Sequence, residues 1–301
     1  MIEVVERVAG HALCVADVRE QGAASVLKCS PDLPPVDEVR WSPDRRRLGV
    51  RTGDDLLWLD VAMMQPHTVI AGGVTGPTEW TSDGRLRTLV KDPEHAAGAA
   101  ARTCTVYGEC ADQALDAIVR GGAWRDDVLA YSAGDGVYTQ VVGAETPSVR
   151  VSGDGKDGDL RWAGDGALWL RGPAGLRRWA ESGLTTIAES VGTVALGPTG
   201  VAWVTPEGAF RANVDGSGPT PMAPVSRSAG LVWAGSALWT VEPSGERFRI
   251  GGPDGAAWDA VSTISAWGDR AVWLSIQGGV QVVADPRGVV VRLDGDIARI
   301  W

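Results

Sequence analysis

The stretch from Asp165 to Trp179, DGALWLRGPAGLRRW, places two tryptophans and two glycine-containing turns within fifteen residues. Apolar runs this short, closed by Gly and Pro, are the punctuation of short strands and tight turns. Such a stretch is either a local aromatic site or one turn of a repeat, and the rest of the chain decides between them. The phrase "apolar strand, Trp, short polar turn, apolar strand" recurs as VRWSPDRRRLGVR (39–51), TEWTSDGRLRTLV (78–90), GAWRDDVLAYS (122–132) and LRWAGDGALWLR (160–171). It returns as TVALGPTGVAWV (193–204), LVWAGSALWTV (231–241) and SAWGDRAVWLS (265–275). The key positions are Trp41, Trp80, Trp124, Trp162, Ala195, Trp233 and Trp267, spaced by 33 to 44 residues. Such a period fits four short strands per unit.

Within each unit a second strand enters a Gly-containing turn, a third follows, and a fourth closes the unit, as in HTVIAG, SVRVSG and VVVRLDG. Four antiparallel strands make a propeller blade, whose faces neighbouring blades must cover. The chain ends in GDIARIW, with Trp301 falling 34 residues after Trp267, where another first strand is due. The N-terminal segments IEVVERV, HALCVADV and ASVLKCS supply the missing second, third and fourth strands. The sequence therefore predicts an all-β, single-domain propeller over 1–301 with its ring closed by the C-terminal strand pairing with N-terminal strands. The expected number of blades is eight, or seven if the irregular 75–121 region is misread. Trp162 and Trp169 are then repeat positions, expected to fill the wedge between twisted sheets with each indole N–H on a backbone acceptor.

Charge narrows the partners. The chain carries 28 Lys+Arg against 38 Asp+Glu, a net charge of -10, with the acids scattered through turns. Nucleic acid and anionic membrane are poor partners for such a surface. The N-terminus has acids where a signal peptide has a basic start, and no run reaches the length that spans a bilayer. By itself this reads as cytoplasmic. Cys14 and Cys29 flank a turn almost symmetrically, and Cys104 and Cys110 do the same around TVYGE. Two disulfides would fit an extracytoplasmic placement, and four buried thiols the cytoplasmic one.

VRWSPDRRRLGVRTGDDLLWLDV resembles the TolB-type and WD40-like blade, with its Trp-Ser-Pro-Asp-Gly turn. DGALWLRGPAGLRRW and GPTGVAWVTPEGAF are similar to the repeats of streptogramin-lyase-type propellers. The resemblance implies the fold across nearly the whole chain. It implies little about activity, because propellers host binding, scaffolding and catalysis alike.

Candidate chemistry is sparse. In an antiparallel meander the second-to-third turns and the blade links share one face. His95 falls in a long second-to-third loop, KDPEHAAGAAART, and His67 near a fourth strand, so the two are expected on that face as catalytic candidates. His11 is the third histidine, and none has a partner at metal-ligand spacing. Cys104 as a nucleophile with His95 is the alternative to a Cys104–Cys110 bridge. Asp54 and Asp55 beside Arg51, with Asp135 in another turn, form an expected ligand-binding set with His95. Asp-Gly turn chemistry alone also accounts for Asp135. Asp154, Asp157 and Asp159 crowd one glycine-rich link and are the candidate calcium ligands, although Lys156 intrudes and no other cofactor is expected. The first expectation is a monomeric binding or interaction propeller presenting its loop face and central channel to a protein or small molecule. The alternatives are a lyase-, hydrolase- or cyclase-type enzyme using Asp54, Asp55, His67 or His95, and a sensory or extracytoplasmic domain of a larger system.

Overall fold

A computed structural model describes residues 2–7, 10–17, 28–91, 98–115, 119, 121–222, 226, 229–267, 269–277, 280–292 and 297–301. Among them every regular element is a strand, and the strands form eight four-stranded antiparallel sheets. These are the blades of a β-propeller, numbered here 1 to 8 in chain order. The chain divides into two compact units, Leu33–Ala188 and Met1–Asp32 with Glu189–Trp301. The first holds blades 1 to 4, which begin at Glu38–Trp41, Glu79–Trp80, Gly121–Arg125 and Asp159–Trp162. The second holds blades 5 to 7, beginning at Val194–Leu196, Gly230–Ala234 and Ser265–Trp267, and the blade built from both termini. Within the 75–121 region the described strands form the four-stranded sheet of blade 2.

The repeated phrase earns its turn from local hydrogen bonding. In blade 1 the Ser42 hydroxyl donates to Asp44 at 2.6 Å, and the Asp44 carboxylate accepts the Arg46 N–H. Thr81 and Asp83 repeat this in blade 2, and Asp165 accepts the Ala167 N–H in blade 4. An aspartate three residues after the first-strand tryptophan thus closes each of these turns on its own backbone. The turn needs a left-handed residue next, which is Gly84 and Gly166 in two blades and Arg45 at φ 55° in the other. Register shifts recur between third and fourth strands at Leu56/Leu57, Val137/Tyr138, Leu176/Arg177 and Val283/Ala284. A bulge there increases the local twist of each blade.

Tryptophan joins one blade to the next. The indole N–H of Trp80 donates to the Arg40 carbonyl at 3.0 Å, Trp124 to Pro77 at 3.2 Å, and Trp162 to Ala123 at 3.1 Å. In the other unit Trp233 donates to Ala195 at 3.2 Å. In each case the acceptor lies on or just before the preceding blade's first strand. An arginine of the preceding blade covers the ring of three of them: Arg87 over Trp124, Arg125 over Trp162 and Arg211 over Trp233. The second-strand series behaves differently. Trp169 and Trp239 are buried, yet their indole N–H groups have no partner among the described residues, contrary to the expected backbone acceptors. Trp239 lies in an apolar cluster, where it meets Trp258 and Trp273 at centroid distances of 5.7 and 6.2 Å. Shape and area hold Trp169 and Trp239, without a polar tether.

The terminal blade forms as the sequence indicates. Val5 pairs with Ile300 on one side and Cys14 on the other, and Cys14 pairs with Cys29. That row crosses all four strands and ends in the Cys14–Cys29 disulfide. It packs with Val272, Leu274, Val283 and Val290 of blade 7, and the Ser265 hydroxyl donates to the Ile300 carbonyl at 2.6 Å. Both edges that free termini would leave open are thereby paired in one sheet.

Two expectations follow. A Cβ at Gly197 would sit 2.2 Å from the Trp233 ring. Gly197→Ala should therefore cost about 1–3 kcal/mol as overpacking, read as a lower denaturant midpoint at unchanged m-value. Removing the Cys14–Cys29 bridge, with its sequence separation of 15, should cost about 3 kcal/mol by loop-closure entropy. The same double Ser replacement at Cys104–Cys110, separation 6, should cost less in the same denaturation experiment.

Candidate functional site

Of the residues expected to form a ligand set, Arg51, Asp54, Asp55 and Asp135 are described, in the Leu33–Ala188 unit, and all but the Asp54 carboxylate take a local partner. Arg51, on the second strand Arg47–Thr52, donates to Asp37 at 3.3 Å and to the Gly53 carbonyl at 3.2 Å, with Glu38 at 3.6 Å. Asp37 also accepts the Gly53 N–H at 2.7 Å, so this group fastens the second-to-third turn to the start of the blade. The Asp55 carboxylate accepts the Gly72 N–H at 2.7 Å, and the Asp54 carbonyl accepts the Val74 N–H at 2.9 Å. Together they pin the link to blade 2, leaving the Asp54 side chain exposed. Asp135 accepts the Tyr138 phenol at 2.8 Å, which raises the Tyr138 pKa, and its carbonyl accepts from Arg150.

His67 pairs with Trp58 across the third and fourth strands of blade 1 and stacks on it at 4.5 Å. It lies toward the third-to-fourth turn, away from Asp54 and Asp55. His95 lies outside the described residues. His11 Nδ1 is 2.9 Å from the buried Glu6. Cys104 is bonded to Cys110, which leaves no thiol to act as a nucleophile.

The acidic link separates into ion pairs. Asp157, fully buried, meets the Arg177 guanidinium. Asp159 accepts from Arg161 and Arg171, each at 3.0 Å. Burial disfavours its ionisation, but these arginines outweigh burial and hold its carboxyl below the usual range. Asp154 accepts the Lys156 N–H at 3.1 Å and lies 4.0 Å from Arg177. The three carboxylates do not share a centre, and a cation here would have to displace arginine. Among the described residues no cluster of His, Cys, Asp and Glu is arranged to hold a metal ion.

Two grooves among the described residues lie at the opposite ends of the strands, among first-to-second and third-to-fourth turns. Between blades 5 and 6 is a groove of about 620 Å³ lined by Arg211, Thr240, Glu242 and Arg249. Between blades 2 and 3 is one of about 550 Å³ lined by Arg87, Thr103, Asp127 and Glu145. Gln113 bridges the second groove, donating to the Ala144 carbonyl at 3.4 Å and accepting the Gly143 N–H at 2.6 Å. Reasoning from the sequence missed Arg87 and Thr103. A signal was present: Arg87 sits one residue beyond the partner of Trp80, the place that Trp169 and Trp239 take beyond the partners of Trp162 and Trp233. A charged residue at a tryptophan position marks a changed environment.

With this geometry in hand, the likeness to solved structures is one of fold. A chain of the mitotic checkpoint complex matches at TM-score 0.54 and 14% identity, covering 84% of this chain and 85% of its own. Hsv2 from Kluyveromyces lactis matches at TM-score 0.52 and 11% identity, covering 88% and 99%. A prolyl endopeptidase matches at TM-score 0.56 and 14% identity, and covers 88% of this chain but 49% of its own length. No protein-family model and no curated protein sequence matches the chain. These similarities show the propeller fold, and nothing about chemistry.

Acid should unfold the protein through its paired carboxylates. Burial opposes ionisation of Asp285, but hydrogen bonds from Arg270 and Arg287 lower its pKa, as arginines do for Asp159. A group with a lowered native pKa adds stability that is complete above its unfolded pKa and is lost as pH falls through the native value. Thermal stability should therefore fall below about pH 4. Asp285→Asn should flatten that acid limb, measured as the melting midpoint from pH 7 down to pH 3.

Proposed function

We propose that the chain acts as a single-domain interaction propeller in an oxidising compartment, and that a protein partner with a basic surface docks on the face of the second-to-third turns. The observation that carries this reading is the state of that face's charged residues. Arg51, Asp37, Asp55, Asp135 and Arg150 hold turns and links in place, while the Asp54 carboxylate is left to solvent. Acids fixed on rigid turns attract and orient a cationic partner, and the net charge of -10 adds to that field. The WD40-type neighbours agree with protein interaction in general, and two disulfides agree with an extracytoplasmic location. The enzymatic reading would need acids and bases within a hydrogen bond of a common point. Asp55 is engaged by Gly72 in the link to blade 2, Asp135 by Tyr138 in its own turn, and His67 by Trp58.

The test is affinity capture from the oxidising compartment of the source organism. Wild type is compared with Asp54→Arg and with Glu145→Arg, which changes charge at the other end of the strands. One stoichiometric partner should be lost about tenfold with Asp54→Arg, retained with Glu145→Arg, and weakened by salt. Equal recovery on all three proteins, or reduced Cys14 and Cys29 in the native protein, would overturn the proposal.

A further inference from the structure

The second strand Leu86–Lys91 of blade 2 is buried along Leu86 to Val90, and one of those residues is arginine. The Arg87 side chain is only 4% exposed, yet its Nε has no hydrogen-bond partner among the described residues. Glu79 sits opposite Arg87 across the strands and is the acid that favours its charge most, but forms no hydrogen bond with it among the described residues. Asp127, whose side chain is 80% exposed, lies 3.7 Å from Nη1, too far for a hydrogen bond. Below the guanidinium lies the Trp124 ring at 4.7 Å. A buried guanidinium is costly unless its donors are used, and stacking on an indole leaves its in-plane N–H groups free.

Those groups line the groove of about 550 Å³ between blades 2 and 3, within the range of small-ligand and peptide sites. Thr103 pairs directly with Arg87 across the strands, so its hydroxyl faces the same groove. Several of the polar groups around the groove are already engaged. Arg85 is held by Asp83 at 2.8 Å, Arg102 and Asp112 form a two-point pair, and Gln113 spans the blades. Ala101, Ala111, Ala114, Val142 and Ala144 supply apolar wall.

From this juxtaposition we infer that the groove is a binding site for a single carboxylate borne by a peptide, taken by the Arg87 guanidinium and the Thr103 hydroxyl. A planar carboxylate matches the arginine fork, and the alanine-rich wall accommodates the chain that carries it. Asp112, Asp127 and Glu145 around the site disfavour multiply charged anions. In the free protein Asp127 stands in weakly for the ligand, and its exposure lets it swing aside. This site lies at the other end of the strands from the proposed docking face, and does not depend on it.

The experiment is thermal-shift and calorimetric titration with four probes. N-acetyl-alanine represents a chain terminus, N-acetyl-glutamic acid α-amide represents an acidic side chain, N-acetyl-alanine amide is the uncharged control, and sodium sulfate is the plain anion. One or both carboxylate probes should raise the melting midpoint by roughly 2–4 °C at ten times their dissociation constant, and their ratio identifies the source. The amide and sulfate should give no shift. Arg87→Met should abolish the shift, and Thr103→Val should weaken binding several-fold. Asp127→Asn, at an exposed position, should tighten it several-fold, which decides the matter should Arg87→Met fail to fold. The inference is overturned if sulfate shifts the midpoint as much as the carboxylates, if Arg87→Met retains the shift, or if no probe binds either wild type or Asp127→Asn.

Discussion

The structure depends on how an indole is held at the seam between two twisted sheets. A tryptophan on a first strand must bury a large ring and also satisfy one N–H, and the preceding blade offers a backbone carbonyl for it. Trp80, Trp124, Trp162 and Trp233 all adopt this arrangement. A hydrogen bond of this kind adds about 1 kcal/mol, small beside the buried area, but it is directional and fixes the height at which neighbouring blades meet. Arginine over the outer ring face completes the seal in three seams.

What the sequence revealed follows from which interactions are local. Blade number, strand order and the shared terminal blade were legible because strand periodicity and Trp-x-x-Asp turn chemistry lie within a few residues of one another. Cys14 and Cys29 could be matched because a hairpin places them opposite one another. The expected backbone acceptor is present for the first-strand tryptophans, where the repeat puts the preceding blade's first strand alongside, and absent for Trp169 and Trp239 on second strands. The candidate site was less legible. Asp54, Asp55 and Asp135 stand out in the sequence because turns favour them, and the structure engages the carboxylates of Asp55 and Asp135 in a link and a turn and leaves that of Asp54 exposed. Arg87 does not stand out, because its meaning comes from burial against Trp124 and from its register beside Thr103.

The two ends of the blades differ in what the described residues do there. At the end of the second-to-third turns of blades 1 and 3, hydrogen bonds hold Arg51, Asp37, Asp55, Asp135 and Arg150 in place. At the other end, where first-to-second turns diverge from third-to-fourth turns, the sheets leave grooves between them. Replacing a tryptophan-type anchor by Arg87 trades apolar filling for a buried charge beside a groove. Such a substitution loses packing at the seam and gains a recognition element.

The most direct measurement is hydrogen exchange at the indole nitrogens, followed by NMR on protein labelled with ¹⁵N-tryptophan. Seams closed by hydrogen-bonded tryptophans predict that the N–H groups of Trp80, Trp124, Trp162 and Trp233 persist in D₂O on the timescale of the most protected strand amides. Exchange of those four within the dead time of the experiment would contradict the seam as described.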